Sequence, residues 1–304
     1  FTLGGEWVWS LTDTLELLDG EDEAFGTSVA LSERFLVVGA PAHGALANGS
    51  PTGAAYVWAF DENNDVSMSS RAQVPGVEEN AGFGSSVAVS HVFPPGPCVG
   101  NCDGIDLLFV GAPDARDGGT SRGLVYVFKE TNGTWIPFTT LRPEVPVDHA
   151  HFGQTLSSHN HRVVVGAPGD GSANANAGGA YIFEWQGGTS WTGRRLAPSD
   201  GINAESFGTS VTFREDLAAV GAPLAPLSER QSGGQVYVYE LDDTPAERCP
   251  NGDCIIDEPG MEPLFLGFEA YINDDTDGTP VAEIYPRFDE PVMVYPLDEP
   301  SSQP

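Results

Sequence analysis

Basic residues are scarce in this chain: 13 lysines and arginines stand against 44 aspartates and glutamates over 304 residues, a formal net charge of −31. Such a balance repels nucleic acid and anionic membranes; it suits a solvated acidic surface, or the attraction of divalent cations and basic partners. Cysteine is scarce too, with four residues. No apolar run is long enough to span a membrane and no stretch reads as a signal peptide. The chain is read as soluble, and its start at Phe1 without Met suits a processed mature protein or a fragment. Nothing reads as a long amphipathic helix. H-E-x-x-H, the nucleophile elbow, the Walker loop and the Rossmann fingerprint are absent, and carboxylates are too numerous to single out a glycosidase pair.

What the chain has instead is an internal repeat. Phe-Gly occurs at Phe25-Gly26, Phe83-Gly84, Phe152-Gly153 and Phe207-Gly208. Each is followed by Gly-Ala-Pro, at Gly39, Gly111, Gly166 and Gly221, and then by Gly-x-x-Tyr ending at Tyr56, Tyr126, Tyr181 and Tyr237. The step from Phe to the Gly of Gly-Ala-Pro is 14 residues in three units and 28 in the second, which therefore carries an insertion. The step from each Tyr to the next Phe is 27, 26 and 26 residues, a constancy that unrelated loops would not produce.

Within each unit, short β-branched and apolar runs lie between turn residues: Ser28 to Leu31, Phe35 to Val38 and Ala55 to Trp58 in the first. Arg162 to Val165 is continuously apolar after its Arg, as expected of a strand covered on both faces. Glycine next to Ala permits close backbone approach, and Pro168 lacks an amide donor and ends the ladder. A fourth strand is predicted between units, at Trp135 to Leu141 and Trp191 to Leu196, with a degenerate version before Phe83. The stretch Glu6 to Leu18 reads as a spare fourth strand, able to complete the last sheet and close a ring.

These motifs resemble the FG-GAP repeats of integrin α-subunit head domains and of many secreted or surface proteins, over roughly residues 6 to 241. The resemblance implies an all-β fold, a β-propeller of four-stranded antiparallel blades used for adhesion and protein contacts, often with calcium bound in Asp-rich loops. Family propellers usually have about seven blades, so the four units here form a small ring, gain non-standard strands from the last 60 residues, or belong to a longer precursor or assembly. Residues 1–244 are assigned to the propeller. Residues 245–304 are read as an acidic Pro-rich C-terminal arm or small β-module, with strands at Leu264 to Ile272, Val281 to Tyr285 and Val292 to Tyr295.

Candidate sites follow from oxygen ligands on Gly-containing turns. The second unit's insertion holds Asn101, Asp103 and Asp106, which look like a family calcium loop, although a disulfide-pinned turn is the preferred reading. Asn273, Asp275 and Asp277 have the alternate spacing of an EF-type loop without its twelfth-position Glu, and an ordinary acidic turn is the competing reading. Cys98 with Cys102, and Cys249 with Cys254, lie in turn-rich loops and read as local disulfides, with no flanking groups to complete a zinc site. Asn48 and Asn132 head glycosylation sequons. With the cysteines they suggest an oxidising, extracellular compartment. His149, His151, His159 and His161 form two H-x-H pairs, read as turn residues in preference to a transition-metal site.

The leading functional expectation is a non-enzymatic extracellular structural or adhesion protein, whose partners are other proteins or like subunits in a multimer or filament. The alternatives are a calcium-dependent receptor for carbohydrate or protein, and the accessory propeller of a secreted hydrolase.

Overall fold

The computed structural model describes residues 14–16, 24–44, 51–60, 72–75, 79–93, 104–172, 177–196, 198, 206–225, 233–241, 268–274 and 280–286. Among them there is no helix. Sheet one is β1 (Ser28–Leu31), β2 (Phe35–Ala40), β3 (Ala54–Ala59) and β4 (Ala72–Pro75), antiparallel and in chain order. Sheet two joins β5 (Ser86–Val92), β6 (Ile105–Ala112), β9 (Leu124–Thr131) and β10 (Thr134–Leu141) in the same order, with the short hairpin of β7 (Arg116–Asp117) and β8 (Thr120–Ser121) between its second and third strands. Sheet three is β11 (Thr155–His159), β12 (Arg162–Ala167), β13 (Gly179–Gly187) and β14 (Ser190–Leu196). Sheet four has three strands among the described residues: β15 (Ser210–Arg214), β16 (Leu217–Ala222) and β17 (Gln235–Glu240). The hairpin of β18 (Phe268–Asp274) and β19 (Pro280–Pro286) follows.

The second strand of each sheet ends on the Ala of Gly-Ala-Pro, at Ala40, Ala112, Ala167 and Ala222. Proline has no N–H to offer the ladder, so the strand stops there. β12 is buried along its whole length, as its continuous apolar run requires. The insertion in the second unit lengthens the β5–β6 hairpin to seven paired positions, from Ser86↔Gly111 to Val92↔Ile105, against four in β1–β2. The degenerate fourth strand before Phe83 is present as β4, which contains no Trp.

Adjacent sheets pack face to face. Val37, Ala55 and Val57 of sheet one share a cluster with Val87, Val89, Leu108 and Val110 of sheet two. Leu107, Phe109 and Val125 of sheet two meet Val163, Val165 and Tyr181 of sheet three. Val164 and Ile182 of sheet three meet Phe213, Val220 and Tyr239 of sheet four. Strand alternation thus sends one set of side chains to the preceding sheet and the other to the following one.

The predicted spare strand Glu6 to Leu18 is described only at residues 14–16, which are not in a strand. Leu15 packs beside Phe25 against the cluster of Tyr56 and Trp58. Leu141 and Leu196, which end β10 and β14, belong to the clusters of the Phe-Gly phenylalanines Phe152 and Phe207 in the same way. At the C-terminal end, β18 begins four residues later than the predicted Leu264, β19 brackets Val281 to Tyr285, and Val292 to Tyr295 lie outside the described residues.

Candidate functional site

The repeated motifs converge on one structure, made three times over. The Phe of each Phe-Gly packs, edge-on in all but the tilted Phe83–Tyr126 pair, against the motif Tyr of its own sheet and the aromatic residue two places on. Ring centroids are 5.6 and 6.0 Å away for Phe25 with Tyr56 and Trp58, and 5.4 and 5.8 Å for Phe152 with Tyr181 and Phe183. The same pairs recur at Phe83 and Phe207. The following Gly takes φ of 90° to 94° in all four copies, a left-handed backbone that side chains rarely adopt. Its N–H donates to the carbonyl of the Gly-Ala-Pro glycine of the same unit, as Gly84 does to Gly111 at 3.0 Å and Gly153 to Gly166 at 3.0 Å.

Its carbonyl points the other way, into the preceding sheet. The Gly84, Gly153 and Gly208 oxygens lie where a side chain on Gly39, Gly111 or Gly166 would begin. Ser28, Ser86 and Thr155 donate their hydroxyls to those same oxygens at 2.9, 2.6 and 2.9 Å. The carbonyls of Phe83, Phe152 and Phe207 cover Gly53, Gly123 and Gly178, the glycines of Gly-x-x-Tyr, in the same manner. Two glycines of one unit therefore cradle the Phe-Gly of the next. Phe-Gly, Gly-Ala-Pro and Gly-x-x-Tyr are the parts of a sheet-to-sheet joint, which is why they recur together.

Two clefts open beside these joints. The first, about 490 Å³, lies between sheets one and two and is lined by Arg34, His91, Phe93, Gly104, Asp106 and Glu130. Asp106 is buried; one carboxylate oxygen takes an ion pair from Arg34, and the other lies 2.9 Å from His91 Nδ1. His91 is the register partner of Asp106 in the extended hairpin, so the insertion places this carboxylate against sheet one.

The second cleft, about 530 Å³, lies beside sheets two and three, with Arg142, Arg194, Arg195, Tyr181 and Trp191 in its wall. Behind three of its wall residues Asp170, fully buried, accepts hydrogen bonds from Tyr181 Oη at 2.5 Å, from Ser172 N at 2.8 Å and from Arg195 Nε at 3.1 Å. Burial alone would raise its pKa, but the Tyr181 and Ser172 hydrogen bonds and the Arg195 charge outweigh that and hold it below 3.8. Burial and the Asp170 carboxylate push the Tyr181 phenol up. The cluster is a fixed ion pair tying the loop after Gly-Ala-Pro to β13 and β14. Sequence reasoning did not find it, because Asp170 is one of many acidic residues and only the fold sets it beside Arg195.

Of the sequence-predicted sites, Asp106 is described and its oxygens face Arg34 and His91; Asn101 and Asp103 lie outside the described residues. Asn273 is in strand β18, and Asp275 and Asp277 are outside. Cys98, Cys102, Cys249, Cys254 and Asn48 are outside as well. Asn132 is exposed at the β9–β10 turn with φ of 51°. His149 and His151 have left-handed backbones before β11, while His159 ends that strand and His161 follows it. His151 lies 3.2 Å from Asp114 and His161 3.1 Å from Glu184. Among the described residues no three His, Cys, Asp or Glu side chains are grouped to hold a metal ion.

A family model described as the FG-GAP repeat matches residues 9–58, 135–183 and 191–239. No curated protein matches the chain. The matches omit the second unit, whose motif is interrupted by the insertion, yet sheet two makes the same joint as its neighbours on both sides. With three matched repeats and a fourth built identically, this chain belongs to the FG-GAP repeat family, and its sheets are blades of the FG-GAP β-propeller type.

Proposed function

We propose that this chain is a non-enzymatic extracellular protein-binding module of structural or adhesive type. The observation that carries this reading is the fate of the motif residues, which are consumed in blade-to-blade joints and leave turns and clefts as the variable surface. A rigid array that varies only in its connections suits recognition of other proteins. The buried ionisable groups support the same reading. Asp106 is held by Arg34 and His91, Asp170 by Tyr181 and Arg195, and Arg162 by Glu184 and Asp216, so each has a structural partner. In this reading the β18–β19 hairpin belongs to an arm beyond the blades.

The compartment is tested by secreting the chain from a eukaryotic cell and mapping its peptides without reduction. The expected result is Cys98 joined to Cys102, Cys249 joined to Cys254, and glycan on Asn132, whose turn is exposed. Four free thiols with an unmodified Asn132 overturn the extracellular assignment.

A further inference from the structure

The three joints between blades are complete, and the two ends of the array carry the halves of a fourth. At the end of blade four, Gly221 has only Ser210 beside it among the described residues, where Gly39, Gly111 and Gly166 each hold the carbonyl of the next Phe-Gly. Among the described residues, Gly234 likewise lacks the phenylalanine carbonyl that covers Gly53, Gly123 and Gly178. Among them, too, Ser210, exposed, finds no acceptor of the kind that Ser28, Ser86 and Thr155 find. At the other end, Gly26 has the left-handed φ of 90° of its counterparts, but nothing among the described residues lies within 4 Å of the position a side chain would take. Among the described residues blade four lacks an incoming Phe-Gly, and blade one presents one.

The apolar faces tell the same story. Val29 and Leu31 are 67% and 70% exposed, while Val87 and Val89, at the same motif positions of blade two, are buried against blade one. On blade four, Leu217 and Val236 are 51% and 58% exposed, while their counterparts Leu107 and Val125 of blade two are buried against blade three. Charge agrees as well. Five residues before the Gly of Gly-Ala-Pro, blade one carries Arg34 and blade two Asp106, and the two pair across their joint. Blade four carries Asp216 at that position, so Arg34 of an incoming blade one meets an opposite charge there. Both Arg34 and Asp216 are more than half exposed and have room for a second partner.

We propose that blade four of one chain receives blade one of a second copy, in a head-to-tail joint that repeats the three internal ones. The occupant is a second copy because the two half-joints are both open among the described residues and fit each other by backbone, apolar surface and charge. The contact is heterologous, so it generates a closed ring or an open filament according to its rotation. This inference rests on the blade geometry and the repeat, not on the extracellular reading, and it stands or falls separately from the disulfide and glycan map.

The test is sedimentation of the full chain over a wide concentration range, in enough salt to screen its negative charge. Concentration-dependent assembly is expected. Two full-length variants each disable one end: Gly221→Ala places a methyl group where the incoming carbonyl goes, and Val29→Glu puts a charge on the incoming face. Each alone is expected to be monomeric; Val29 is exposed, and a methyl group on the buried Gly221 meets only the Ser210 hydroxyl among the described residues, which can rotate away, so both should fold with unchanged circular dichroism. Their mixture leaves one intact joint, blade four of the Val29→Glu chain with blade one of the Gly221→Ala chain, and is expected to give a one-to-one dimer that grows no further. A wild-type chain that stays monomeric at the highest concentration overturns the proposal. So does assembly that survives both substitutions, which would place the linking surface elsewhere, as would a mixture that stays monomeric.

Discussion

Replacing Gly111 and Gly221 by alanine separates the joint from the motif. The two glycines occupy the same place in Gly-Ala-Pro and have the same strand neighbour, a serine hydroxyl across the first ladder. They differ in one respect: a Cβ on Gly111 would lie 3.0 Å from the carbonyl carbon of Gly153 and closer still to its oxygen, whereas Gly221 has no backbone of another blade against it among the described residues. A serine hydroxyl can rotate away, but a backbone carbonyl fixed by a ladder cannot. Forcing one methyl group into a packed site costs about 1–3 kcal/mol. Displacing the Gly153 carbonyl also weakens its 2.6 Å hydrogen bond from Ser86, which contributes about 0.5–1.5 kcal/mol. Alanine returns about 0.4–1 kcal/mol by restricting the unfolded chain.

The expected net loss for Gly111→Ala is roughly 2–3 kcal/mol, and a domain of this size changes its melting temperature by about 2–4 °C for each kcal/mol. Gly111→Ala should therefore melt roughly 4–12 °C below the parent chain. Gly166→Ala should match it, since the Gly208 carbonyl lies against Gly166 in the same way. Gly221→Ala, measured on dilute chain, should stay within about 0.5 kcal/mol of the parent. Differential scanning calorimetry and urea titration decide the matter. Equal losses at Gly111 and Gly221 would mean that the motif glycine serves its own strand and not the joint, and the account of why the motif repeats would be wrong.

Further predictions concern the two buried carboxylates. Asp170→Asn removes a charge hydrogen-bonded by Tyr181, Ser172 and Arg195, a loss of about 2–3 kcal/mol. Its folded-state pKa is depressed, so this stabilisation is fully present above 3.8 and is lost as pH falls below that value. The difference between parent and variant in urea titrations should hold from neutral pH to 3.8 and then close; a gap unchanged in stronger acid contradicts the assignment. Asp106→Asn should cost less, about 1–2 kcal/mol, because its partner Arg34 is largely exposed and screened. Because Arg34 and His91 already occupy both Asp106 oxygens, any rise in melting temperature produced by calcium should be the same in Asp106→Asn as in the parent. A rise that disappears in the variant would make Asp106 a ligand.

The blade plan was legible because it is written in local signals that repeat. Strand ends followed from Pro after Gly-Ala, and the Tyr-x-aromatic pattern marked β3, β9, β13 and β17. What the sequence could not give was direction. Nothing in the spacing says that the Phe-Gly carbonyl of one unit lies on the glycine of the unit before it, since that contact joins residues 45, 42 and 42 positions apart. Asp106 illustrates the same limit. Its neighbours in sequence suggested a calcium loop, and the extended β5–β6 register turned it toward Arg34, 72 residues away. Asp170 carried no local signal at all, because an acidic residue after a Gly is common in a chain with 44 of them.

The repeat and the blade are offset, and the offset gives meaning to the first matched segment. Each matched repeat opens on a Trp and closes on Tyr-x-aromatic, and the repeat at 135–183 begins with β10, the outer strand of blade two, while the repeat at 191–239 begins with β14, the outer strand of blade three. By that rule the repeat at 9–58 starts, in sequence, at the position that β10 and β14 occupy in the other two. Leu15 fits the rule. It packs beside Phe25, as Leu141 does with Phe152 and Leu196 with Phe207. Blade four, meanwhile, shows three strands among the described residues and has no outer strand after β17 within them. In a head-to-tail pair the Gly26 of the incoming chain enters the joint at Gly221, beside the edge of β17. The glycine cradle and the Arg34 charge then act together, both drawn from the first 40 residues of the incoming chain.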